Sequence, residues 1–527
     1  MKRREALQRL GFGVLAGTLT NIACSGESHR AEAAQNSPSS NFEPDVDLTL
    51  TAEAAEAAIL PGRPTQVWRF TGTVVKGPPD TLQAIADSYL GPTIRVRKGN
   101  NVRIRFRNRL PGESTIVHWH GLDVPEAADG HPRFAIEPGS EYVYEFTVLN
   151  RAGTYWYHPH PHQRTGAQVY RGLAGMFIVE DDEADAAGLP PSDSELLCVL
   201  QDRRFDVANQ LVYLDAAGAM MDQMHGFLGN QVLVNGRKSP QFDLATRAYR
   251  VRILNGSSAR VYKLAWSDDT PMTVIGTHGG LLERPVQKQY LTLAPAQRAD
   301  VILDLSRQQV GHRFELRSVQ YPIGDVDRAG MGMGAMGGMR GRGGMGGVAQ
   351  EAVPNGAPLS LMRLNVARQE ASTFTLPQKL STFATPAGAA TLPVRRVEIG
   401  FEAGEFRLGG RTFEMMATAP EEVVPAGSSQ VWELVNVSGM MGMPMAHPIH
   451  LHGKQFRVLG RAQTAGAAAQ SIREGIVDDG WTDTVLVLPG ETVRIQAYFT
   501  DYPGLYLYHC HILEHEDMGM MRNFRIT

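Results

Sequence analysis

The histidines are the residues of this sequence whose types and spacing are best suited to chemistry. Of its 16 histidines, ten lie in the four short segments HWHG, HPH, HPIHLHG and HCHILEHE. One of the three cysteines, Cys510, lies directly between two of these histidines. Neutral imidazole and thiolate are both ligands of transition metals. The pattern therefore predicts metal binding, and an accidental clustering of surface or core histidines is the weaker interpretation because the HxH spacing recurs in all four segments.

The HxH spacing indicates how the ligands are presented. Alternate residues of a β-strand share a face, so each pair directs two imidazoles to the same side, and the intervening Trp119, Pro159 and Leu451 point away. Eight imidazoles exceed the needs of one ion and suit a cluster. Copper, zinc, iron and nickel all accept imidazole, so the nitrogens alone do not identify the metal. The eight are His118, His120, His158, His160, His450, His452, His509 and His511.

Cys510 predicts a second site on the other face of its strand. By the same alternation its sulfur points away from His509 and His511 and needs separate partners. His447 is an odd number of residues from the histidine pair that follows it, so it can face away from that pair. His515 lies past the strand end and is free to fold back.

The donor set around Cys510 identifies the metal. Two histidines, a cysteine and a weak thioether, here Met520, form a blue-copper electron-transfer site. The alternative interpretation of Met520 is a core methionine. The strand would then connect one copper to a metal cluster on its opposite face, and this role requires a redox metal, which excludes zinc.

Three copies of one domain are predicted to position these ligands. Short strand patterns bounded by Gly, Pro and Asn dominate the chain, which indicates an all-β fold. A turn followed by a strand that ends in Asn occurs at 97, 244 and 425. A Pro-containing turn and strand follow at 137, 294 and 488, and a Gly-led strand at 152, 310 and 503. Repeats this long indicate three β-sandwich domains and not a solenoid.

The repeats set the predicted domain boundaries. The third strand of the first and last copies ends in histidines, whereas the middle copy reads FELRS, so the middle domain is expected to act as spacer and lid. The predicted segments are a leader at 1–33, a flexible tether at 34–45, domains at 46–182, 183–365 and 391–527, and a linker at 366–390.

The first residues resemble a twin-arginine export signal. Arg3 and Arg4 precede a weakly apolar run that is too short to span a membrane. Cleavage after Ala33 is expected, or lipid anchoring at Cys24, although Asn21 is unfavourable three places before a lipid-accepting cysteine. A basic disordered N-terminus is the competing interpretation. The leader predicts a periplasmic or secreted protein without an integral membrane span.

Composition excludes several partners and a disulfide framework. The net charge is -4 and charged residues form no long runs, which argues against nucleic acid or anionic lipid as a partner. Removal of the leader leaves two cysteines. Cys198 lies in the apolar run LLCVL and is predicted to be a small core residue.

The four histidine segments resemble those of the multicopper oxidases, the family of laccases, ascorbate oxidases and bacterial cuprous oxidases. HWHG, WYHPHPH, HPIHLHG and HCHILEHEDMGM match the copper motifs of this family. The resemblance implies three cupredoxin-like Greek-key β-sandwich domains and four copper ions. It implies a type 1 copper at His447, Cys510, His515 and Met520, a type 2 copper at His118 and His450, and a type 3 pair held by His120, His158 and His511 and by His160, His452 and His509.

The same resemblance implies a reaction. Single electrons would leave a substrate at the type 1 copper, pass along Cys510 and reduce dioxygen to water at the cluster, which should lie between the first and third domains. The reductant would be cuprous ion or a small phenol, and the chain is expected to be monomeric. Alternatives are a copper nitrite reductase, a ligand-stripped structural relative or a methionine-based copper buffer. Four HxH pairs and three domains disfavour the reductase, and the complete ligand set disfavours the stripped relative. A copper buffer that used only its methionines would leave the HCH arrangement without a role.

Two acidic residues resemble the proton-supply residues of the family. Asp129 follows the HWHG segment, and Glu516 is adjacent to His515. A carboxyl group near the cluster can relay protons through water. The alternative for each is a solvated loop acid, and Asp123 is a weaker candidate.

Methionine-rich segments favour cuprous ion as the substrate. The Gly-rich stretch 329–347 cannot hold a regular element and is predicted to be a mobile insertion in the middle domain, where it would cover the pocket at the type 1 site. Thioethers are soft ligands that select cuprous ion, although a flexible linker with incidental methionines is the alternative. Bacterial cuprous oxidases of copper-tolerance systems resemble this arrangement. The candidate substrate ligands are Met331, Met333, Met336, Met339, Met345, Met443 and Met445, with Met440 and Met441 beside them.

The remaining histidines lack paired spacing and are predicted not to be ligands. They are His29, His131, His162, His225, His278 and His312.

Overall fold

The computed structural model describes residues 36–214, 219–327, 352–383, 388–436, 445–463 and 470–527. Six β-sheets dominate these residues, and they pack in pairs as three Greek-key sandwiches. The all-β prediction with three cupredoxin-like domains is therefore confirmed. None of the described helices is long and apolar enough to cross a membrane.

The first sandwich packs a four-stranded sheet, in the order β2-β1-β5-β7, on a five-stranded sheet, in the order β3-β4-β9-β8-β6. Its strands are β1 Val46–Ala57, β2 Thr65–Lys76, β3 Leu82–Gln83, β4 Thr93–Arg97, β5 Asn101–Arg109, β6 Val117–His120, β7 Glu141–Thr147, β8 Gly153–Pro159 and β9 Gly175–Glu180.

The second sandwich packs a seven-stranded sheet, β12-β11-β10-β14-β19-β16-β17, on a five-stranded one, β13-β21-β20-β15-β18. Its strands are β10 Glu195–Arg203, β11 Gln231–Val234, β12 Arg237–Lys238, β13 Gln241–Ala245, β14 Ala248–Asn255, β15 Tyr262–Trp266, β16 Met272–Thr277, β17 Gly280–Lys288, β18 Leu291–Leu293, β19 Arg298–Asp304, β20 Arg313–Ser318 and β21 Leu359–Arg368.

The third sandwich packs a six-stranded sheet, β23-β22-β25-β30-β27-β28, on a five-stranded one, β24-β32-β31-β26-β29. Its strands are β22 Val394–Glu402, β23 Glu405–Leu408, β24 Val423–Val424, β25 Ser428–Asn436, β26 His447–Leu451, β27 Phe456–Gln463, β28 Trp481–Thr482, β29 Thr484–Val487, β30 Glu491–Phe499, β31 Gly504–Cys510 and β32 Met521–Ile526.

Helices are short and lie at the edges of the sandwiches. The α-helices are α1 Thr165–Tyr170, α2 Asp182–Ala186, α3 Ala219–His225 and α4 Leu513–Asp517. The 3-10 turns are Pro79–Thr81, Glu126–Ala128, Pro132–Phe134, Ser192–Ser194, Ile323–Asp325, Pro420–Glu422 and Arg473–Gly475.

The predicted sequence repeat corresponds to a structural repeat. The three strands predicted to end in Asn are β5, β14 and β25; the latter two end at that residue and β5 ends one residue beyond it. Each pairs antiparallel with the strand of the following repeat segment, β7, β19 or β30. Asn108, Asn255 and Asn436 are buried, and each side-chain amide donates to two main-chain carbonyls. In each domain the asparagine at this position thus satisfies buried main-chain carbonyls, which explains why it recurs.

The predicted flexible tether and the predicted interdomain linker are both packed where the structure describes them. In the tether predicted at 34–45, the Asn36 amide donates to the Val143 carbonyl at 2.6 Å and accepts from its N–H at 2.9 Å. In the linker predicted at 366–390, β21 continues to Arg368, and Leu380 is buried in the core of the second sandwich. Hydrogen bonds hold the described part of the tether against the first domain, and strand pairing and apolar burial hold the described part of the linker against the second. Neither segment is a detached spacer over these residues.

Each sandwich has its own apolar core, and Cys198 lies in that of the second domain as predicted. A separate cluster that includes Trp156 and Phe205 joins the first and second domains, and another that includes Tyr321 and Leu486 joins the second and third. The three domains therefore share buried apolar surface, which fixes the relative positions of the ligands they carry.

Candidate metal centre

Four strands deliver the eight paired histidines. β6 lies beside β8 in the first domain with His118 opposite His158, and β26 lies beside β31 in the third with His450 opposite His509. The residues between the histidines point into the two domain cores, as alternation predicts; Trp119 and Leu451 are fully buried there.

The histidines just past the strand ends keep the same pairing. The backbone N–H of His160 donates to the Ile116 carbonyl at 2.9 Å, and that of His452 donates to the Leu507 carbonyl at 2.9 Å. The N–H of His511 donates to the Pro448 carbonyl at 2.7 Å. These bonds extend each ladder far enough to hold both members of every HxH pair.

The two domains bring their histidines together at one interface. The structure groups His118, His120 and His450, then His120, His158 and His511, and then His160, His452 and His509, with the ligand atoms of each group within 4.8 Å of one another. Every group takes histidines from both the first and the third domain. All eight side chains are at most 1 % exposed.

The outer hydrogen bonds of the imidazoles determine which nitrogens face inward. Nδ1 of His118 donates to the Asp129 carbonyl at 2.6 Å, and Nδ1 of His450 donates to the Asp483 carbonyl at 2.8 Å. With these tautomers both Nε2 atoms carry lone pairs, and they face each other at 3.3 Å. Two lone pairs repel at this distance, so the geometry fits a cation between them.

A second pair of opposed nitrogens lies nearby. Nδ1 of His452 donates to the Asp129 carboxylate at 2.9 Å, and Nδ1 of His509 donates to the Cys510 carbonyl at 3.0 Å. Their Nε2 atoms then face each other at 3.0 Å. Further ring nitrogens are buried without a partner among the described residues: Nδ1 of His120, Nε2 of His158, Nδ1 of His160 and both nitrogens of His511.

Burial favours the neutral form of several cluster imidazoles. It lowers the pKa of His158 to about 3 and that of His160 to about 4, and it lowers the pKa values of His118 and His452 well below the usual value. Neutral imidazoles bind metals through their lone pairs. The residues present therefore fit a cluster of metal ions.

The predicted proton-supply residues are both buried beside this cluster, so neither is a solvated loop acid. The Asp129 carboxylate accepts from His452, and burial raises its pKa well above the usual value. Glu516 lies 3.4 Å from His160 Nε2 and 3.2 Å from His509 Nδ1. Burial alone would raise the pKa of Glu516, but these histidines outweigh it and hold the pKa low.

The weaker acidic candidate has a different neighbour. Asp123 accepts from the Lys454 ammonium at 2.6 Å, and burial raises its pKa to about 7 despite that cation. Among the described residues it contacts no histidine of the cluster, so it lies one layer further out than Asp129.

Cys510 lies on the opposite face of β31, with His447 and His515. Its Sγ is 3.5 Å from His447 Nδ1 and 3.8 Å from His515 Nδ1, and the three residues form a further buried group. Met520 is also buried, and its carbonyl accepts from the Cys510 N–H at 3.0 Å. The Ile512 N–H donates to Cys510 Sγ at 3.4 Å.

The α4 helix returns His515 to the cysteine. Phe406 stacks on the His515 ring with 4.0 Å between centroids, which fixes the plane of the imidazole. His515 Nε2, on the ring edge away from Cys510, donates to the Met224 carbonyl of α3 at 3.2 Å. This outer edge of the ring is therefore covered by a helix of the second domain.

Sequence reasoning missed one buried ion pair at the cluster. Asp483 is held by Arg298 through bonds of 2.8 and 2.6 Å, and it accepts from His120 Nε2 at 3.1 Å. Gly121 makes room for this contact, because a Cβ there would lie 2.4 Å from an Asp483 oxygen. Asp483 orients His120 so that Nδ1 faces inward, but a single Asp in the segment WTDT carries no local signal of this role.

The histidines predicted not to be ligands bind other protein groups. His131 contacts Asn523, His225 pairs with Asp327, His278 contacts Thr482, His312 contacts Asp268, and His162 packs on Phe413. None of the five belongs to a metal-compatible group among the described residues. His29 lies outside those residues.

Most of the methionines predicted as substrate ligands lie outside the described residues. The predicted leader, with Cys24, also lies outside them. Met331, Met333, Met336, Met339, Met345, Met440, Met441 and Met443 all do so. Met445 is described and is 4 % exposed, and its backbone bridges that of Asp327 just before His447.

Comparison with known proteins identifies the family. Models described as "Multicopper oxidase" match residues 67–184 and 394–527. The chain is 30% identical over 442 residues to the multicopper oxidase mco of Staphylococcus aureus, which covers 84% of this chain and 83% of that protein. The chain belongs to the multicopper oxidase family. It is also 30% identical over 505 residues to a laccase of Bacillus stratosphericus, with 84% of this chain and 90% of that protein covered.

A solved structure gives the same result. The McoA multicopper oxidase of Aquifex aeolicus superimposes with a TM-score of 0.74 and 32% identity, over 92% of this chain and 97% of that one. This multicopper oxidase therefore uses copper as its cofactor and dioxygen as its oxidant, and the histidine clusters are consistent with copper sites.

Proposed function

We propose that this multicopper oxidase couples the one-electron oxidation of cuprous ion to the four-electron reduction of dioxygen to water. One observation carries the choice of substrate. The outer nitrogen of His515 is buried and hydrogen-bonded to the Met224 carbonyl, so a phenol has no free imidazole edge to contact. A small ion bound at α3, the helix that carries Met224, could pass its electron through this hydrogen bond without contacting the imidazole edge itself.

The proposed copper ligands are those predicted from the sequence, and the grouping of the imidazoles supports them. His447, Cys510, His515 and Met520 would hold the type 1 ion, and His118 and His450 the type 2 ion. The type 3 ions would be held by His120, His158 and His511 and by His160, His452 and His509, the two groups of three that the geometry brings together. Bound copper supplies the one-electron redox chemistry.

The polypeptide itself provides the proposed electron path. Cys510 Sγ faces the type 1 ligands, while His509 and His511 face the cluster. A covalent path of one residue on either side of Cys510 therefore connects the two sites, and no diffusing carrier is needed.

Asp129 and Glu516 are the proposed proton-supply residues. Each carboxylate contacts a histidine of the cluster directly, Asp129 at His452 and Glu516 at His509. Burial raises the pKa of Asp129, so this carboxyl group can hold a proton beside the cluster, whereas the pKa of Glu516 is held low, so this carboxylate would pass a proton on and not store it.

Laccase activity on phenols is the alternative, and one cavity favours it. A cavity of about 730 Å³ beside α4 is lined in part by Trp68, Tyr170 and Tyr213, with Glu514 and Met518 at one side. Its size and aromatic lining suit a small organic molecule. The covered His515 edge argues against direct electron transfer from a phenol bound there.

We also propose export through the twin-arginine pathway to the periplasm or beyond, and a monomeric state. The leader at 1–33 supports the first proposal, since it carries the paired arginines and the short apolar run. Secreted protein from cells with and without an Arg3→Lys/Arg4→Lys change would test it.

Side-by-side turnover of two reductants tests the proposed substrate. Copper-loaded protein is supplied aerobically with cuprous ion or with a phenol, and oxygen uptake is followed. We expect a higher kcat/KM for cuprous ion. A clear preference for the phenol would overturn the proposal in favour of the laccase alternative.

A further inference from the structure

The histidines proposed to hold the type 3 ions form two groups, and the structure supports the two groups differently. Group 120 consists of His120, His158 and His511, and group 160 consists of His160, His452 and His509. Among the described residues, the hydrogen bonds, ion pairs and ring contacts of group 160 are all with residues of the first and third domains. Group 120 is also connected to the second domain, although none of the described residues of that domain belongs to a metal-compatible group.

One indole ring contacts all three histidines of group 120. Trp156 lies opposite His120 in the ladder of β6 and β8 and two residues before His158, so its side chain shares a face with both. Its ring centroid is 4.3 Å from that of His158, 5.2 Å from that of His120 and 5.6 Å from that of His511. In the described parts of the chain, no phenylalanine, tyrosine or tryptophan ring contacts group 160.

The same indole belongs to the apolar cluster that joins the first and second domains. Trp156 is 1% exposed, and its Nε1 has no hydrogen-bond partner among the described residues, so packing alone holds the ring. The buried members of this cluster from the second domain are Val199, Phe205, Leu233, Leu254 and Ala296. Protein interiors are close-packed, so the apolar surface that fixes the indole from the second domain also fixes the face that it presents to the imidazoles.

An ion pair from the second domain reaches the same group. Arg298 lies at the start of β19 and holds Asp483, which accepts a hydrogen bond from His120 Nε2 at 3.1 Å. Arg298 Nε also donates to the Thr154 carbonyl at 2.9 Å, and Thr154 lies two residues before Trp156 on β8. The apolar contact and the ionic contact therefore end at the imidazoles of one group, and both come from the second domain.

We propose that the second domain positions the type 3 ion of group 120 and leaves that of group 160 to the other two domains. Trp156 and Arg298 are the positioning residues, because each acts through a histidine or its partner and neither belongs to the ligand set. The inference rests on the proposed copper ligand assignment and goes beyond it. It gives the second domain, which was expected to act as spacer and lid, a role in metal binding.

Both contacts act on the orientation of an imidazole. A ring nitrogen binds a metal ion only when its lone pair, which lies in the ring plane, points at the ion. Asp483 fixes the His120 ring through Nε2, and Trp156 restricts the His158 ring through a stack whose planes are 30° apart. Loss of such outer contacts typically costs about 10- to 100-fold in metal affinity.

Competition with a chelator tests the role of Trp156. Trp156→Leu removes the ring and keeps an apolar side chain, whereas Trp156→Phe keeps a smaller ring against the imidazoles. The copper-loaded proteins are titrated with EDTA, and bound copper is measured by atomic absorption. We expect Trp156→Leu to lose one type 3 ion at an EDTA concentration at least about tenfold below that needed for the wild type. Trp156→Phe should recover most of this loss.

Electron paramagnetic resonance identifies the ion that leaves. Two coupled Cu²⁺ ions have no net spin, so the departure of one makes the other visible. His158→Asn and His160→Asn provide the reference spectra, because each removes a ligand from one group only. We expect the new signal of Trp156→Leu to match that of His158→Asn, while the visible absorption of the type 1 copper stays at the wild-type value.

A second variant and two controls separate positioning from general destabilisation. Arg298→Gln should release the same ion, and this result does not depend on the indole. Trp266→Leu removes an equally buried ring from the core of the second sandwich, and Arg250→Gln breaks a buried pair with Asp300. Neither Trp266 nor Arg250 contacts a cluster histidine among the described residues, so both controls should lower the free energy of unfolding and keep wild-type copper retention.

The outcomes separate the inference from the proposed function. If Trp156→Leu and Arg298→Gln both retain copper as the wild type does, or if the new signal matches that of His160→Asn, the inference is wrong and the ligand assignment stands. Equal copper loss from Trp266→Leu would also overturn the inference, because the loss would then follow stability. If the copper-loaded wild type contains no spin-silent pair, the proposed ligand assignment itself fails.

Discussion

The buried thiol of Cys510 retains its proton in the metal-free protein. Burial raises the pKa of the Cys510 thiol above the usual thiol value. The groups that act on this pKa include no cationic side chain that would offset the effect of burial. A thiolate at this position therefore requires a bound metal ion, which displaces the proton. At the scale of one residue, metal loading and thiolate formation are the same event.

Replacement of that sulfur tests the type 1 assignment. We expect Cys510→Ser to lose the intense visible absorption and all oxidase activity, because only a thiolate gives the strong copper charge-transfer band and the short electron path. Serine is smaller and polar, but the flanking strand pairing remains, so the protein should stay folded by circular dichroism. Cys198→Ser is the control and should keep the visible band. A coloured, active Cys510→Ser protein would contradict the assignment.

A second substitution separates proton supply from electron entry. We expect Glu516→Gln to slow oxygen reduction by about 10²-fold or more, the usual contribution of a positioned acid or base. Reduction of the type 1 copper by substrate without oxygen should keep its wild-type rate. Stopped-flow absorbance measures each half-reaction.

Glu421→Gln serves as the control for the loss of a carboxylate, because Glu421 is exposed. It should leave both half-reactions at wild-type rates. Unchanged oxygen turnover in Glu516→Gln, with saturating reductant, would remove Glu516 from the proton path.

Some residue positions could be predicted from the sequence and others could not. The face to which each histidine points follows from the two-residue period of a strand, so the sequence was sufficient for the HxH pairs and for Cys510. The contact between Asp483 and His120 joins residues 363 positions apart. Only the packing of three domains creates that contact, so no local pattern contained it.

At the scale of elements, the strands were predictable and the short helices were not. Recurring turns and Asn-ending strands placed β5, β14 and β25 in equivalent positions. A seven-residue helix such as α3 is too short to be stable by propensity or to show a clear period, and its anchoring contacts come from elsewhere in the chain. The packing of the predicted tether and linker was missed for the same reason.

Deletion of residues 329–347 tests the role of the methionine-rich segment. We expect lower cuprous turnover, because soft ligands that collect Cu⁺ are lost. Phenol turnover should stay the same or rise, because the sequence predicts that this segment covers the type 1 region. Oxygen uptake with each reductant measures both effects.

A replacement of equal length is the control for that deletion. Changing the five methionines of 329–347 to leucine removes the soft ligands and keeps the chain length, so it should lower cuprous turnover without raising phenol turnover. Unchanged cuprous kinetics in the deletion would favour the laccase alternative.

At the scale of the whole molecule, one ion pair joins all three domains. Arg298 belongs to the second domain, Asp483 to the third and His120 to the first, and all three side chains are fully buried. We expect Asp483→Asn to lower the free energy of unfolding of the copper-free protein by about 3–5 kcal/mol, because the arginine would remain buried without its partner charge. Urea unfolding measures this change.

A surface pair provides the comparison. Glu53→Gln breaks the Arg69–Glu53 pair, whose side chains are 47% and 26% exposed, and it should cost less than about 1 kcal/mol. Equal urea midpoints for the wild type and Asp483→Asn would show that the buried pair does not stabilise the fold.

The same pair predicts a direction with pH. Burial would raise the pKa of Asp483, but Arg298 outweighs it and lowers the pKa to about 2. A carboxyl group whose folded pKa lies below its unfolded value stabilises the protein above the unfolded value, near 3.8, and loses this contribution as pH falls toward 2. The stability difference between wild type and Asp483→Asn should therefore shrink between these pH values.

The separation of the cluster ligands along the chain also orders its assembly in time. His160 and His509 face each other across 349 positions, so synthesis at the usual rate places roughly 17 to 70 seconds between them. During that interval the first domain holds four imidazoles without their counterparts. A chain that stops before Tyr508 lacks His509, Cys510, His511, His515 and Met520 together. A chain therefore has its full set of copper ligands only after translation has passed the last histidine strand, and truncated products are expected not to retain copper.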